Sequence, residues 1–239
     1  MEKHFRQVVL PISFDEFLRL PRNAAYKYEY FDGRAVLTAR PKSFSCVRDL
    51  SPVAADPRRP VEVRPLPAAE IPGLTGPFLR SFRQIQPFGS LDNDAATAAA
   101  AECLEKTATG GDGPLIEAAC FTAWDERHAE RPAGAILVTL VPPAALTEPF
   151  WLPWKEPPAD AVARRLGVPH LTWVFVDSWQ TRRGIGAALL AAAVNALREA
   201  GFTDLVSTFA LDNAPGALWH WRHGFRLLPQ LSAFMRQKD

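Results

Sequence analysis

The period of apolar residues changes along this chain, and each change marks an element. Ser13-Phe14-Asp15-Glu16 has the spacing of a helix-capping box, so a short helix is expected before Pro21. "YKYEYFDGRAVLTAR" alternates on both sides of Asp32-Gly33, a pair that tolerates positive φ, and predicts a β-hairpin. From residue 61 onward strand and helix patterns interleave. "VEVRPLP" reads as a strand, and "FLRSFRQI" as the best helix of a Pro- and Gly-broken stretch at 68–86. Residues 92–111 read as a helix with acids first, Lys106 late and glycines after it. "PLIEAACFTAW" (114–124) and "AGAILVTLV" (133–141) predict two neighbouring strands with a charged, exposed link. "ADAVARRLG" predicts a short helix, and "HLTWVFV" (170–176) a central strand. A long Ala/Leu helix over 183–200 stops at Gly201. "LVSTFAL" (205–211) is a strand, "PGALWHWRH" a helix opened by Pro215, and "FRLLP" a last strand. This order predicts an α/β fold, a mixed sheet whose antiparallel strands lead into parallel crossover units.

Composition narrows the picture. Apolar residues make up 48% and charged residues 22%, ordinary for a globular chain of 239 residues. A formal net charge of +1 gives no basis for a nucleic-acid partner. Cys46, Cys103 and Cys120 are few, odd in number and scattered, so neither a disulfide framework nor a metal site is expected. With no apolar run long enough to span a bilayer and no leader-like start, a soluble cytoplasmic protein without a membrane partner is expected. The prolines, 22 in all, cluster from Pro52 to Pro77 and from Pro142 to Pro169. The first cluster includes "SPVAADPRRP", read as a linker, which divides the chain into a helix-plus-hairpin extension (1–58) and a main domain (59–239).

One stretch carries chemistry: "WVFVDSWQTRRGIGAALL". A buried strand ends in a polar turn, and a helix starts at once. Backbone N–H groups at a helix start lack intrahelical partners and bind anions. Gly184 and Gly186 would let a phosphate approach the main chain, and Arg182 and Arg183 would add charge. The alternative is that these glycines only permit a tight turn. Neither a Walker A pattern nor a dinucleotide fingerprint is present.

Val176, followed five residues later by Thr181-Arg182-Arg183-Gly184-Ile185-Gly186, resembles the acyl-CoA signature of the GNAT superfamily of N-acyltransferases, with Thr181 where Gln or Arg is usual. "LDNAPGALWHWRHGF" is similar to the same family's closing motif: Asn213, Gly224 and Phe225 match, Gly216 replaces Ala, Trp219 replaces Leu, and His220 replaces Tyr. The resemblance covers roughly 61–230. It implies a sheet with antiparallel N-terminal strands, a central splayed parallel pair and flanking helices. It also implies acetyl-CoA as co-substrate and a small-molecule or peptide amine as acceptor. Cofactor contacts would come from Val174 and Val176 on the strand, from Arg182, Arg183, Gly184, Ile185, Gly186 and Ala187 in the turn, and from Asn213. His220 would be the acid, and His170, six residues before Val176, the base, with Glu117 as the other candidate. A CoA-binding module without turnover is the competing reading. Phe150, Trp151 and Trp154 in the long Pro/Trp-rich loop are a candidate lid, and the first fifty residues pack on the main domain or form a homodimer contact.

Overall fold

The computed structural model describes residues 7–21, 26–39, 43–54, 61–85, 87–125, 130–147, 154–181, 183–210 and 213–228. Helix α1 (Phe14–Arg19) starts at the expected box: Ser13 Oγ accepts from Glu16 N–H, and Glu16 Oε2 accepts from Ser13 N–H. β2 (Tyr26–Phe31) and β3 (Arg34–Ala39) form the expected hairpin, with Asp32 at φ 51° and Gly33 at φ 69° giving the twist that a two-residue turn needs. β1 (Gln7–Leu10) adds to the other edge of β3, closing a three-stranded sheet.

β4 (Ser43–Asp49) leaves that unit altogether. It enters a seven-stranded sheet with β5 (Val61–Pro65), β6 (Phe121–Asp125), β7 (Gly134–Val141), β8 (Val168–Val176), β9 (Asp204–Ala210) and β10 (Arg226–Leu227). The order is β10-β4-β9-β8-β7-β6-β5, with β4 antiparallel to both neighbours. A division at residue 58 therefore does not hold for the sheet, because part of the expected extension is one of its interior strands. Ser45, Cys46, Val47 and Arg48 are all buried, so β4 lacks the alternation that marks a half-exposed strand. Arg48 is accommodated because its guanidinium donates to the carbonyls of Asp49, Ser51 and His223.

Helices cover both faces. α2 (Thr75–Phe82) and α3 (Asn93–Ala108, capped by Asp92) close one face over Leu66, Phe78, Leu104, Leu137 and Phe175. α4 (Ile185–Glu199) covers the other over Ile136, Leu171 and Leu205. α5 (Ala214–Arg222) follows β9, capped by Asn213, whose Oδ1 accepts from Gly216 N–H at 2.9 Å.

Two expected elements differ. The segment 114–124 is broken by a 3₁₀ turn at Glu117–Ala119, and only Phe121–Asp125 pairs as a strand. "ADAVARRLG" folds as consecutive turns closed by Arg165 at φ 55°, a conformation that cannot propagate a helix.

Candidate functional site

β8 and β9 run parallel but pair only at His170↔Val206 and Leu171↔Ser207. Beyond that point each stays bound to its outer neighbour, β8 to β7 as far as Val176 and β9 to β4 as far as Ala210. A V-shaped gap opens between them. The register of β7 against β8 shifts at Leu137/Val138, where Thr172 is left over. Asp177 N–H donates to Ala133 O, so the ladder's alternation turns the N–H groups of Val174 and Val176 away from β7, toward the gap. Ser81 Oγ of α2 lies 2.8 Å from Val176 O.

The strand then meets the glycine turn. Gly184 is the N-cap of α4 at φ 81°, a left-handed conformation that a side chain would strain. Gly184 O accepts from Ala187 N–H and Ala188 N–H. Among the described residues, Ile185 and Gly186 N–H have no acceptor. Ala187, expected to contact an anion, has its amide already engaged. Gly186 is required by packing: a Cβ there would stand 2.9 Å from Trp219 Nε1. Arg183 is not aimed at the turn's mouth as its sole partner. Its guanidinium donates to buried Asp125 at 2.7 Å and to Gln180 at 2.5 Å, stapling the turn to the end of β6. Arg182 lies outside the described residues.

His220 and His170 flank the gap's closed end on opposite faces of the sheet. His220 Nδ1 is 2.7 Å from Gly216 O, and since a carbonyl only accepts, Nδ1 carries the proton. Nε2 then stands 2.9 Å from Ser207 Oγ, for whose single proton Leu171 O, at 3.2 Å, also competes. Burial pushes His220 below the ordinary imidazole value, against the pull of the Gly216 carbonyl. The neutral ring has no proton on the nitrogen facing β9. His170 lies between Thr172 Oγ1 (3.1 Å from Nδ1) and Thr208 Oγ1 (3.3 Å from Nε2), and burial lowers it to about 4. Glu117 lies elsewhere: exposed on its 3₁₀ turn, it accepts from Ala68 N–H. Trp154 is also removed from the gap, its indole donating to Leu140 O near the opposite end of β8, which overturns the lid expectation for that residue. Phe150 and Trp151 lie outside the described residues.

Residues 94–225 match the family model described as "Acetyltransferase (GNAT) family". The chain belongs to the GNAT acetyltransferase family. The Thermoplasma acidophilum PaiA N-acetyltransferase, solved in complex with coenzyme A, is similar at 13% identity and TM-score 0.50, over 73% of this chain and 94% of that one. A GCN5-related N-acetyltransferase from Sphaerobacter thermophilus is 15% identical (TM-score 0.49) over 92% of this chain and 56% of that one. One from Ralstonia eutropha is 19% identical (TM-score 0.46) over 72% and 97%. No curated protein matches.

Within this GNAT acyltransferase the site holds partners that sequence reasoning did not name. Asp177, buried at the end of β8, pairs with Arg80 of α2 at 2.6 Å. Arg80 and Arg131 lie over the two-ringed surface of exposed Trp179. Only the acids' positions beside apolar strands hinted at this, because their cations come from elements far away in sequence. No His/Cys/Asp/Glu group among the described residues could hold a metal, and no described helix is long and apolar enough to cross a membrane.

Proposed function

We propose that the chain is an N-acetyltransferase that moves an acetyl group from acetyl-CoA to a primary amine by direct attack. The β8/β9 gap ending on the glycine turn is the observation that carries this reading. Acetyl-CoA, when bound, supplies the acetyl group as a thioester, and the coenzyme A thiolate is the leaving group. The chain supplies the open amides of Ile185 and Gly186 for the diphosphate, with the positive charges of Arg182 and Arg183 beside them in the turn. Val174 and Val176 supply strand N–H groups to the acyl arm, the second as a donor to the carbonyl oxygen as it gains charge. Asn213 fixes the start of α5 beside the gap.

Direct attack is supported by the cysteines. Burial pushes the thiols of Cys46 and Cys120 up to about 12 and that of Cys103 to about 11, so none is a ready acyl carrier. The histidines support roles as neutral groups. His170 can accept a hydrogen bond from the entering amine only in place of one of its threonine hydroxyls, and it holds its proton weakly, so the proton passes on to water. His220 keeps α5 seated on β9 through Ser207 at the gap's closed end. A thiol with an ordinary value near ~8.5 leaves without a strong acid. The acceptor is a small neutral or amino-acid-like amine, or a peptide amine. Asp125, Asp177 and Asp112 are already paired with Arg183, Arg80 and Lys106, which leaves them poorly suited to a polycation.

Titration calorimetry with acetyl-CoA, followed by thiol-release assays over an amine panel, tests the reading. Micromolar binding with turnover of at least one amine is expected. A folded chain that binds no CoA thioester would overturn it. Binding without turnover would favour a CoA-binding module, a reading that the neutral, fully hydrogen-bonded histidines also support.

A further inference from the structure

Trp219 has no counterpart in the closing motif, where Leu is usual, and its surroundings explain what an indole does there. Its ring packs among His220, His223 and Phe225 and reaches the first turn of α4. The other half-buried tryptophans among the described residues all donate their N–H: Trp124 to Thr122 Oγ1, Trp154 to Leu140 O and Trp173 to Thr107 Oγ1, each at 2.9 Å. Trp219 Nε1–H meets no acceptor among the described residues. Among the described residues no buried side-chain nitrogen or oxygen lacks a partner, so this N–H is open to solvent and free to donate to an acceptor that arrives there.

Its position says which acceptor. Nε1 stands 2.9 Å from the place a Cβ of residue 186 would take. Cβ bonds of a helix tilt toward its N-terminus, so the indole N–H borders the same end of α4 as the open amides of Ile185 and Gly186. The side chains expected to serve this turn are committed elsewhere. Thr181 Oγ1 turns to Ser178 O at 3.4 Å, and Arg183 Nη1 is held by Asp125 and Gln180. We propose that Trp219 Nε1–H is a side-chain donor to the diphosphate of the acyl-CoA, supplied by the closing helix in place of the long side chain missing at 181. This rests on the acyl-CoA reading of the site. It also ties the diphosphate to His220, the next residue on α5, so that occupancy of the turn seats the helix beside the gap.

The test is a titration of ¹⁵N-labelled wild-type protein with coenzyme A, following the indole N–H resonances, with Trp219 assigned by its NOEs to Gly186. A downfield shift of that resonance is expected, together with about tenfold or greater weakening of coenzyme A binding in Trp219→Phe by calorimetry. Wild-type binding with an unmoved Trp219 resonance, or equal affinity in Trp219→Phe, would overturn the assignment while leaving the acyl-CoA reading standing. No binding by the wild-type chain would remove both. The NMR arm uses only the native protein, so it decides the question even where the variant folds poorly.

Discussion

At the residue scale the two histidines and two glycines are decided by their neighbours. His170 is lowered to about 4 because burial disfavours its charged form, with Asp112 pulling weakly the other way. The unfolded chain therefore binds a proton that the folded chain refuses. Stability from this group is full above ~6.5 and is lost as pH falls from there toward about 4, a loss on the order of 3 kcal/mol. Urea unfolding of wild type and His170→Gln at pH 7 and pH 4.5 should show a steeper fall in the wild type; parallel falls would mean His170 charges freely. The same neutrality predicts that kcat/KM lacks an inflection from His170 between pH 6 and 8 and instead rises with deprotonation of the acceptor amine. Gly184→Ala places a Cβ at φ 81°, which should cost about 1 kcal/mol and weaken coenzyme A binding, read from thermal melts and calorimetry.

At the element scale the site depends on what holds the ends of strands. The Arg183–Asp125 pair fastens the glycine turn to β6, with Asp125 only 6% exposed and Arg183 at 28%. Asp125→Ala should lower stability by about 1–2 kcal/mol, less than for a fully buried pair because Arg183 can turn to water. It should also loosen the turn, seen as faster amide exchange at Ile185 and Gly186. β4 makes a sharper case. A chain beginning at residue 41 keeps the strand that separates β9 from β10, whereas one beginning at 59 bares an edge of β9. The first should give a cooperative melt and a single species by size exclusion, and the second should aggregate or melt without cooperativity. Equal behaviour of the two would mean that β4 is dispensable to the sheet.

For the whole molecule, the gap exists because β8 and β9 are each retained by an outer partner while parting from one another. Binding of acetyl-CoA should slow amide exchange at Val174, Val176, Ile185 and Gly186 together, and leave the β1–β3–β2 sheet unchanged. Protection confined to the turn would mean that the gap does not take the acyl arm.

Local patterns in the sequence were enough for the capping box at Ser13, the Asp32-Gly33 hairpin, the strand over 170–176 within Val168–Val176 and the long Ala/Leu helix ending before Gly201, because each rests on short-range sterics or on a single periodicity. The two motifs likewise located the glycine turn and the α5 cap at Asn213. What the sequence could not determine were relations between residues far apart: β4 beside β9, Asp125 under Arg183, Ser207 against His220, and an indole from α5 over the first turn of α4. None of these leaves a local signature, since a buried interior strand has no alternation and an ion pair has no fixed spacing. The chain's own sequence determined its elements and the turn that could take an anion. Tertiary packing alone decided which donors remain open there, because a donor is open only when every folded neighbour has been accounted for.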